Sequence, residues 1–396
     1  MTHKLWLVSA VSVLWAVSTP AQQFDSSIVR TVAPGVVHRR VVVNGGPWHV
    51  NVLEVDLRQP GLSIRAARAH DSFGGRETLS SMVERYRGPG KVVGAVNGDF
   101  FNIRSTGESE NNVVIEGQFW KGVRVTDSPY DTFDTIHSQF GIDWQNHPAI
   151  ERFQFAGMMT GPHERTVNLD ALNFWPDSGA IVLYTKVFGD STPGDSTGRH
   201  PLVVPLSPVG QRGDTLLFQV AGKARQGWSL PLATGAALLA GGSRRSELHA
   251  LVTQASPLRV VPHLVPDRGR LRTVVGGWPR LIVHGRSVAA QADSLEGTFP
   301  RFSSGRHPRT GVGISADSTK LFLITVDGRR ESDSGMSLAE LARLMLDLGV
   351  YEGMNLDGGG STTMVVEGHV VNSPSDKTGE RPVGSGLLVV VDAPQR

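Results

Sequence analysis

Short apolar runs, many of them β-branched and each bounded by Gly, Pro, Asn or Asp, recur along most of the chain. "RRVVVN", "WHVNVLEVDL", "KVVGAV", "GAIVLYTKVF", "PLVVPL", "DTLLFQVA", "RLIVHG" and "KLFLITVDG" have strand length and strand composition, and their flanks are the residues that turn a chain. One stretch breaks the rhythm. "SLAELARLMLDLG" sets Leu338, Leu341, Leu344, Met345 and Leu348 at helical spacing on one face. Ser337 and Glu340 have the spacing of a capping box, and Gly349 is placed as the stop. This helix lies between the strand-like "LFLITVDGR" and "YEGMNLD". Strand, helix, strand predicts a parallel βαβ unit, with both carboxyl ends on one side of a sheet. The expected fold is therefore α+β: a mixed β-sheet core with few helices and a parallel βαβ element near the C-terminus.

The first residues read differently. Lys4 precedes an apolar run from Leu5 to Val17 that ends in "STPAQQ", the pattern of a cleaved signal peptide over residues 1–21. The run is shorter than the ~20 apolar residues of a spanning helix, so the mature chain is expected to be secreted or periplasmic, with no membrane span. A β-rich segment at 22–90 is expected to pack on a main domain at 91–392, which carries a β-rich insertion around 191–266. The chain has no cysteine, which excludes disulfides, thiolate zinc sites and a thiol nucleophile. The net charge of +2 with scattered Lys and Arg lacks the basic stripe of a nucleic-acid binder.

The stretch "NLDGGGSTTMVV", residues 355 to 366, ends the second strand of the predicted unit. Three glycines in a row carry a large backbone entropy penalty, which a closely approaching ligand would justify. The end of the first strand supplies Asp327 and Arg329 to the same crevice, where α/β sheets bind ligands. Asn355 and Asp357 are two apart and share a face on a strand, and Asn97 and Asp99 in "AVNGDFF" repeat that spacing. The same residues also serve as ordinary turn formers. Arg309 in "HPRTGVGIS" and Asp376 and Arg381 in "SPSDKTGERPV" add charges in loops. Singly, such arginines are surface residues; together they suit bidentate recognition of phosphate. A P-loop, a Rossmann fingerprint, a G-x-S-x-G elbow and H-E-x-x-H are all missing. No cofactor is required; the many Asp, Asn and carbonyl oxygens of the loops leave a structural or catalytic Ca or Mg ion open, although no EF-hand pattern or other motif indicates one.

Taken in order, "AVNGDFFN", "GGWPRLIVHGR", "HPRTGVGIS", "LFLITVDGR", "GMSLAELARLMLDLG", "NLDGGGSTTMVV" and "NSPSDKTGERPVGSGLLVV" resemble the phosphodiester glycosidase family over roughly residues 90 to 392. The resemblance implies a glycosidase that cleaves a sugar-1-phosphodiester of a phosphorylated carbohydrate or glycan, leaving a phosphomonoester. It implies a pocket of Asn97, Asp99, Arg309, Asp327, Arg329, Asp357, Gly358, Gly359, Ser361, Thr362, Asp376 and Arg381, with Asp357, Asp327 and Asp99 catalytic. Asn355 joins the substrate-binding group through its spacing from Asp357. Two departures bear on the sugar. After "NGDFFN" the family's Gly-Pro-Gly-like segment is replaced by "STGESENNVVIEGQF", and Gly384-Ser385-Gly386 follows "ERPV". A phosphomonoester leaves readily because its second pKa is ~6, so the chemistry calls for charge stabilisation by arginines and loop amides. Two other classes are compatible with these residues: a metal-dependent phosphodiesterase attacking phosphorus, and a secreted carbohydrate-binding protein without turnover.

Overall fold

The computed structural model describes residues 26–392 apart from 44–45, 47, 129–132, 177–178, 195–199, 234 and 253–256. The leader expected over 1–21 lies outside the described residues. The fold is mostly β-sheet with few helices.

At its centre is an eight-stranded sheet in the order Ser26–Ala33, Val36–Val43, Trp48–Asp56, Lys320–Val326, Arg309–Ile314, Glu352–Asn355, Arg280–Val283, Arg286–Ser287. Its central strands are buried on both faces, which is why they read as continuous apolar runs rather than as alternations. Leu53, Val55, Leu321 and Leu323 face one core, where Val96, Phe140, Leu387 and Val389 meet them. Val50, Val52, Ile324 and Val326 face the other, under Leu338, Leu341, Leu344 and Met345 of the helix Leu338–Asp347. That helix starts on the capping box of Ser337 and Glu340 and ends before Gly349, whose φ of +90° suits glycine.

The first core is closed by two five-stranded sheets. One runs His369–Val370, Met364–Val366, Lys91–Asn97, Ser385–Val391, Leu62–Arg68; the other runs Gln118–Lys121, Val113–Ile115, Leu271–Gly276, Gln139–Asp143, Pro148–Glu151. A further nine-stranded sheet spans Gly157 to Val261 and has its own apolar core around Leu183, Leu206, Leu238 and Val260. Its strands Gly157–Thr160 and Thr166–Leu169 precede residue 191, so the extra sheet begins earlier in the chain than composition suggested.

Two placements differ from the sequence reading. The strands flanking the helix do not pair: Arg309–Ile314 lies between Lys320–Val326 and Glu352–Asn355 and is antiparallel to both. The crossover thus skips one strand, and no hydrogen-bonded parallel pair forms there. Both flanking strands still run the same way, because each opposes the same neighbour. The N-terminal segment is also no separate layer. Trp48–Asp56 pairs along Lys320–Val326, and Leu62–Arg68 pairs along Ser385–Val391, so early and late parts of the chain are woven into the same sheets.

Candidate active site

The loop after Glu352–Asn355 is shaped by what its glycines leave out. A Cβ on Gly360 would lie 2.2 Å from Nη2 of Arg381, and one on Gly359 would lie 2.9 Å from Nη2 of Arg329. Both guanidiniums therefore rest against the loop, in space that any side chain would occupy. Gly359 also has a φ of +62°, a conformation that favours glycine. Gly358 passes close to the main chain, where a Cβ would meet the carbonyl oxygen of Pro308 at 2.9 Å. The turn is held by Gly359 N donating to Pro308 O over 2.8 Å. Arg381 is aimed by Asp376, which accepts from its Nε at 2.7 Å, while Nη1 reaches Ser361 Oγ at 3.4 Å. The same pairing holds the Asp376 carboxyl below its ordinary pKa. Burial followed by the neighbouring charge of Arg381 lowers the pKa of Arg329, against the charges of Asp357 and Asp376.

Asp357 opens this loop. Its amide donates to Gly98 O at 3.1 Å, and its Oδ1 accepts from Gly358 N at 2.9 Å. Burial pushes its carboxyl up to about 7, against Ser361, Arg381 and the Gly358 amide, with the charge of Asp99 adding to the rise. The residue nonetheless keeps some contact with solvent. Asp99 is fully enclosed and accepts two bonds from Asn111, from the amide at 3.1 Å and from Nδ2 at 2.9 Å. Burial lifts it to about 6, tempered by Asn111, Lys121 and Arg68.

A third carboxylate completes the group, and sequence reasoning passed over it. Glu110 is buried, its amide donates to Phe100 O at 3.1 Å, and its Oε1 has no hydrogen-bond partner among the described residues. Burial, then the charge of Asp99, raise it to about 9, and Asp357 adds to the repulsion. Burial raises all three carboxyl groups and repulsion adds to the rise at Asp357 and Glu110, which disfavours their ionising together near neutral pH. Two buried cations fix the segment that carries Glu110. Arg68 donates from Nη1 to Ser109 Oγ at 2.7 Å and from Nη2 to Gly107 O at 3.0 Å, and Lys121 Nζ donates to Ser109 O at 2.6 Å. A cavity of about 10 Å³ behind Asp99, between Arg68, Ser109 and Gly276, has room for about one water. The sequence signal for Glu110 was faint: a carboxylate in "STGESENN", the stretch that departs from the family pattern.

The other expected residues divide. Gly358, Gly359, Ser361, Asp376, Arg329, Arg381, Asp357 and Asp99 are brought together. Thr362 ends the loop, its hydroxyl buried and without a partner among the described residues. Asn97 and Asn355 lie at the same strand ends, but their side chains are engaged in the scaffold. Asn97 Nδ2 donates to Asp357 O at 2.5 Å while its Oδ1 accepts from Thr310 Oγ1 at 2.7 Å, and Asn355 Nδ2 donates to Trp278 O at 2.6 Å. Asp327 backs the loop from behind. Asn372 Nδ2 donates to its Oδ1 at 3.2 Å and to Thr362 O at 3.0 Å, and burial raises the Asp327 pKa. Arg309 is buried, with Nε on Met336 O at 2.8 Å and Nη2 on Phe302 O and Gly305 O at 2.6 and 3.0 Å. Its guanidinium braces carbonyls, and burial brings it down to about 9. A separate cavity of about 740 Å³, lined by Phe119, Met158, Leu216, Leu264 and Asp267 among others, contains none of these groups. It is larger, but it lacks the chemistry.

Residues 218–390 match the family model described as phosphodiester glycosidase. That stretch of the chain is similar to this family. Among curated proteins, the chain is similar to the N-acetylglucosamine-1-phosphodiester alpha-N-acetylglucosaminidase of Bos taurus, at 39% identity over 92 residues, 23% of this chain and 17% of the relative. It is also similar to an uncharacterised SPβ prophage-derived protein of Bacillus subtilis, at 42% identity over 84 residues, 21% of this chain and 13% of that one. The chain thus spans between 13% and 17% of the length of these relatives. A hypothetical protein from Synechocystis shares the fold, with a TM-score of 0.70 at 21% identity over 94% of this chain and 64% of that one. The match of residues 218–390 holds Arg309, Arg329, Asp357 and Arg381, whereas Asp99 and Glu110 lie upstream of it. No helix among the described residues is long and apolar enough to cross a membrane.

Proposed function

We propose that this protein hydrolyses sugar-1-phosphodiesters at the glycosidic carbon, releasing the sugar and a phosphomonoester outside the cytoplasm. The observation that carries this reading is the junction of two unlike parts: a glycine loop holding two guanidiniums, and, starting at Asp357, a row of three mutually repelling carboxyl groups. Phosphate binds at Arg329 and Arg381, which places the anomeric carbon beside Asp357. Asp357 keeps contact with solvent and takes a proton from the attacking water. The new bond forms between water oxygen and the anomeric carbon as the carbon–oxygen bond to phosphate breaks. The electron pair leaves with the phosphate oxygen, where the two arginines stabilise the added charge. Asp99 stays ionised and stabilises positive charge growing on the sugar ring, as glycosidase carboxylates do. Glu110 keeps its proton and is a hydrogen-bond donor to the sugar. Asp327, Asn97, Asn355 and Arg309 hold the frame.

The test is a panel of sugar-1-phosphodiesters incubated in ¹⁸O-water, with mass analysis of both products. This reading predicts the label in the sugar. Label in the phosphate would instead mean attack at phosphorus.

A further inference from the structure

Beside the carboxylates runs a strip of aromatic rings that the chemistry above does not use. Phe100 meets Trp278 edge-on with centroids 5.8 Å apart and Phe302 at 6.2 Å; Trp278 stacks on Phe302 at 4.7 Å. Phe299 extends the strip, 5.9 Å from Phe302 and 40% exposed. Trp278 is buried and anchors the group, its indole nitrogen donating to Glu296 O at 2.6 Å. Phe100 and Phe302 are only half-buried. Aromatic residues packed purely as core would be expected to hide these faces.

The position of the strip is what gives it meaning. Phe100 follows Asp99 in the chain, and its carbonyl accepts the amide of Glu110, so its main chain joins the two segments that carry those carboxylates. The Asp357 amide donates to Gly98 O at 3.1 Å, and Asp99 and Phe100 follow Gly98 in the chain. The main chain therefore leads from the glycine loop through Asp357 and Gly98 to Asp99 and Phe100, with Glu110 bonded to the Phe100 carbonyl. In a sugar-1-phosphodiester the anomeric carbon stands between phosphate and ring. With phosphate on the arginines and the anomeric carbon at Asp357, the ring must extend toward Phe100.

We propose that Phe100, backed by Trp278 and Phe302, is the platform on which the apolar face of the substrate's pyranose ring stacks. This rests on the glycosidase reading for its orientation, but it is a statement about binding and is tested as one. A flat aromatic face meeting the C–H face of a sugar buries apolar area while leaving the hydroxyls free for polar groups such as Glu110. The platform selects for a pyranose with one continuous C–H face and is indifferent to the phosphate.

The experiment is calorimetric titration of wild type, Phe100→Ala and Phe100→Trp with N-acetylglucosamine 1-phosphate, glucose 1-phosphate and inorganic phosphate. Phe100→Ala should weaken the tighter of the two sugar phosphates about tenfold, a typical loss for one stacked ring. Inorganic phosphate should change less than about twofold, since the arginine loop is untouched, and Phe100→Trp should restore sugar binding to within about threefold. Equal weakening of sugar phosphate and phosphate would make Phe100 a framework residue and overturn the proposal. So would unchanged sugar binding in Phe100→Ala, or a wild type that binds phosphate but no sugar phosphate. Selective loss of sugar binding in a protein that cleaves none of the diesters would sink the hydrolase reading and leave the platform standing.

Discussion

The loop at 357–362 and the segment at 99–121 handle charge in opposite ways. The loop strips side chains away: three glycines let two arginines lie on the main chain at the edge of solvent, with Asp376 aiming one of them. The 99–121 segment buries Asp99, Glu110 and Lys121 outright and holds Asp99 and Lys121 with specific hydrogen bonds. The first arrangement suits an anion that arrives and leaves. The second suits groups whose proton affinity must be set before any substrate arrives. Asp357 belongs to both, which is why the account gives it the central step.

The largest expected effect follows from that position. Asp357→Asn should lower turnover about a thousandfold, within the range of a lost proton-transfer group, while the melting temperature at pH 6 holds or rises. A pure turn former would be served equally well by Asn, so near-normal rates would remove Asp357 from the chemistry.

The pH profile of kcat/KM separates the two lobes next. Asp357, raised to about 7, must be ionised to accept a proton, so activity falls as pH drops through that value. Glu110, raised to about 9, must stay protonated, so activity falls as pH rises through that value. The expected profile is a bell between these limbs, and Glu110→Gln should abolish the alkaline limb alone. The same group sets a stability test. A carboxyl raised on folding contributes stability below its unfolded pKa, and this is lost as pH climbs toward the folded value. Glu110→Gln should therefore raise the melting temperature more at pH 8 than at pH 5.

Smaller effects sharpen the loop. Gly360→Ala keeps an ordinary backbone conformation but displaces the Arg381 guanidinium. It should cut phosphodiester cleavage about tenfold through lost orientation, with little change in folding. Arg309→Met should do the reverse. Losing the donors to Met336, Phe302 and Gly305 carbonyls costs about 3 kcal/mol of stability, while the activity of each folded molecule changes little.

How much of this was readable in the chain depended on range. The helix was legible because periodicity, capping box and stop are local, all within residues 337–349. Arg381 was legible as a loop charge in a motif of the family the chain resembles, and the glycine loop and Arg329 as ends of strands that run the same way. The strand at 309–314 between them was not, since sequence order does not say which strand enters a gap. The matched spacing of Asn97–Asp99 and Asn355–Asp357 located two strand ends correctly but gave each pair a common face. In the molecule the asparagines end the strands and bond across them, and the aspartates follow past the last strand residue. Arg309 shared its motif with the site, yet its side chain turns to buried carbonyls. Glu110 could not be found by period or motif, because a loop with no regular structure folds it under Phe100.

In the proposed reaction the work is divided between an arginine loop for the phosphate and a carboxylate recess for the sugar carbon. This division is tested most directly by comparing two substrates of the same sugar, a phosphodiester and a nitrophenyl glycoside, in Arg381→Ala and Asp357→Asn. The nitrophenyl leaving group is stable without a guanidinium. Arg381→Ala should then lose about a hundredfold on the phosphodiester, the usual cost of one charge-stabilising contact, and only a few-fold on the nitrophenyl glycoside, whereas Asp357→Asn should lose heavily on both. Equal losses on the two substrates in Arg381→Ala would contradict the division and move the phosphate away from the glycine loop.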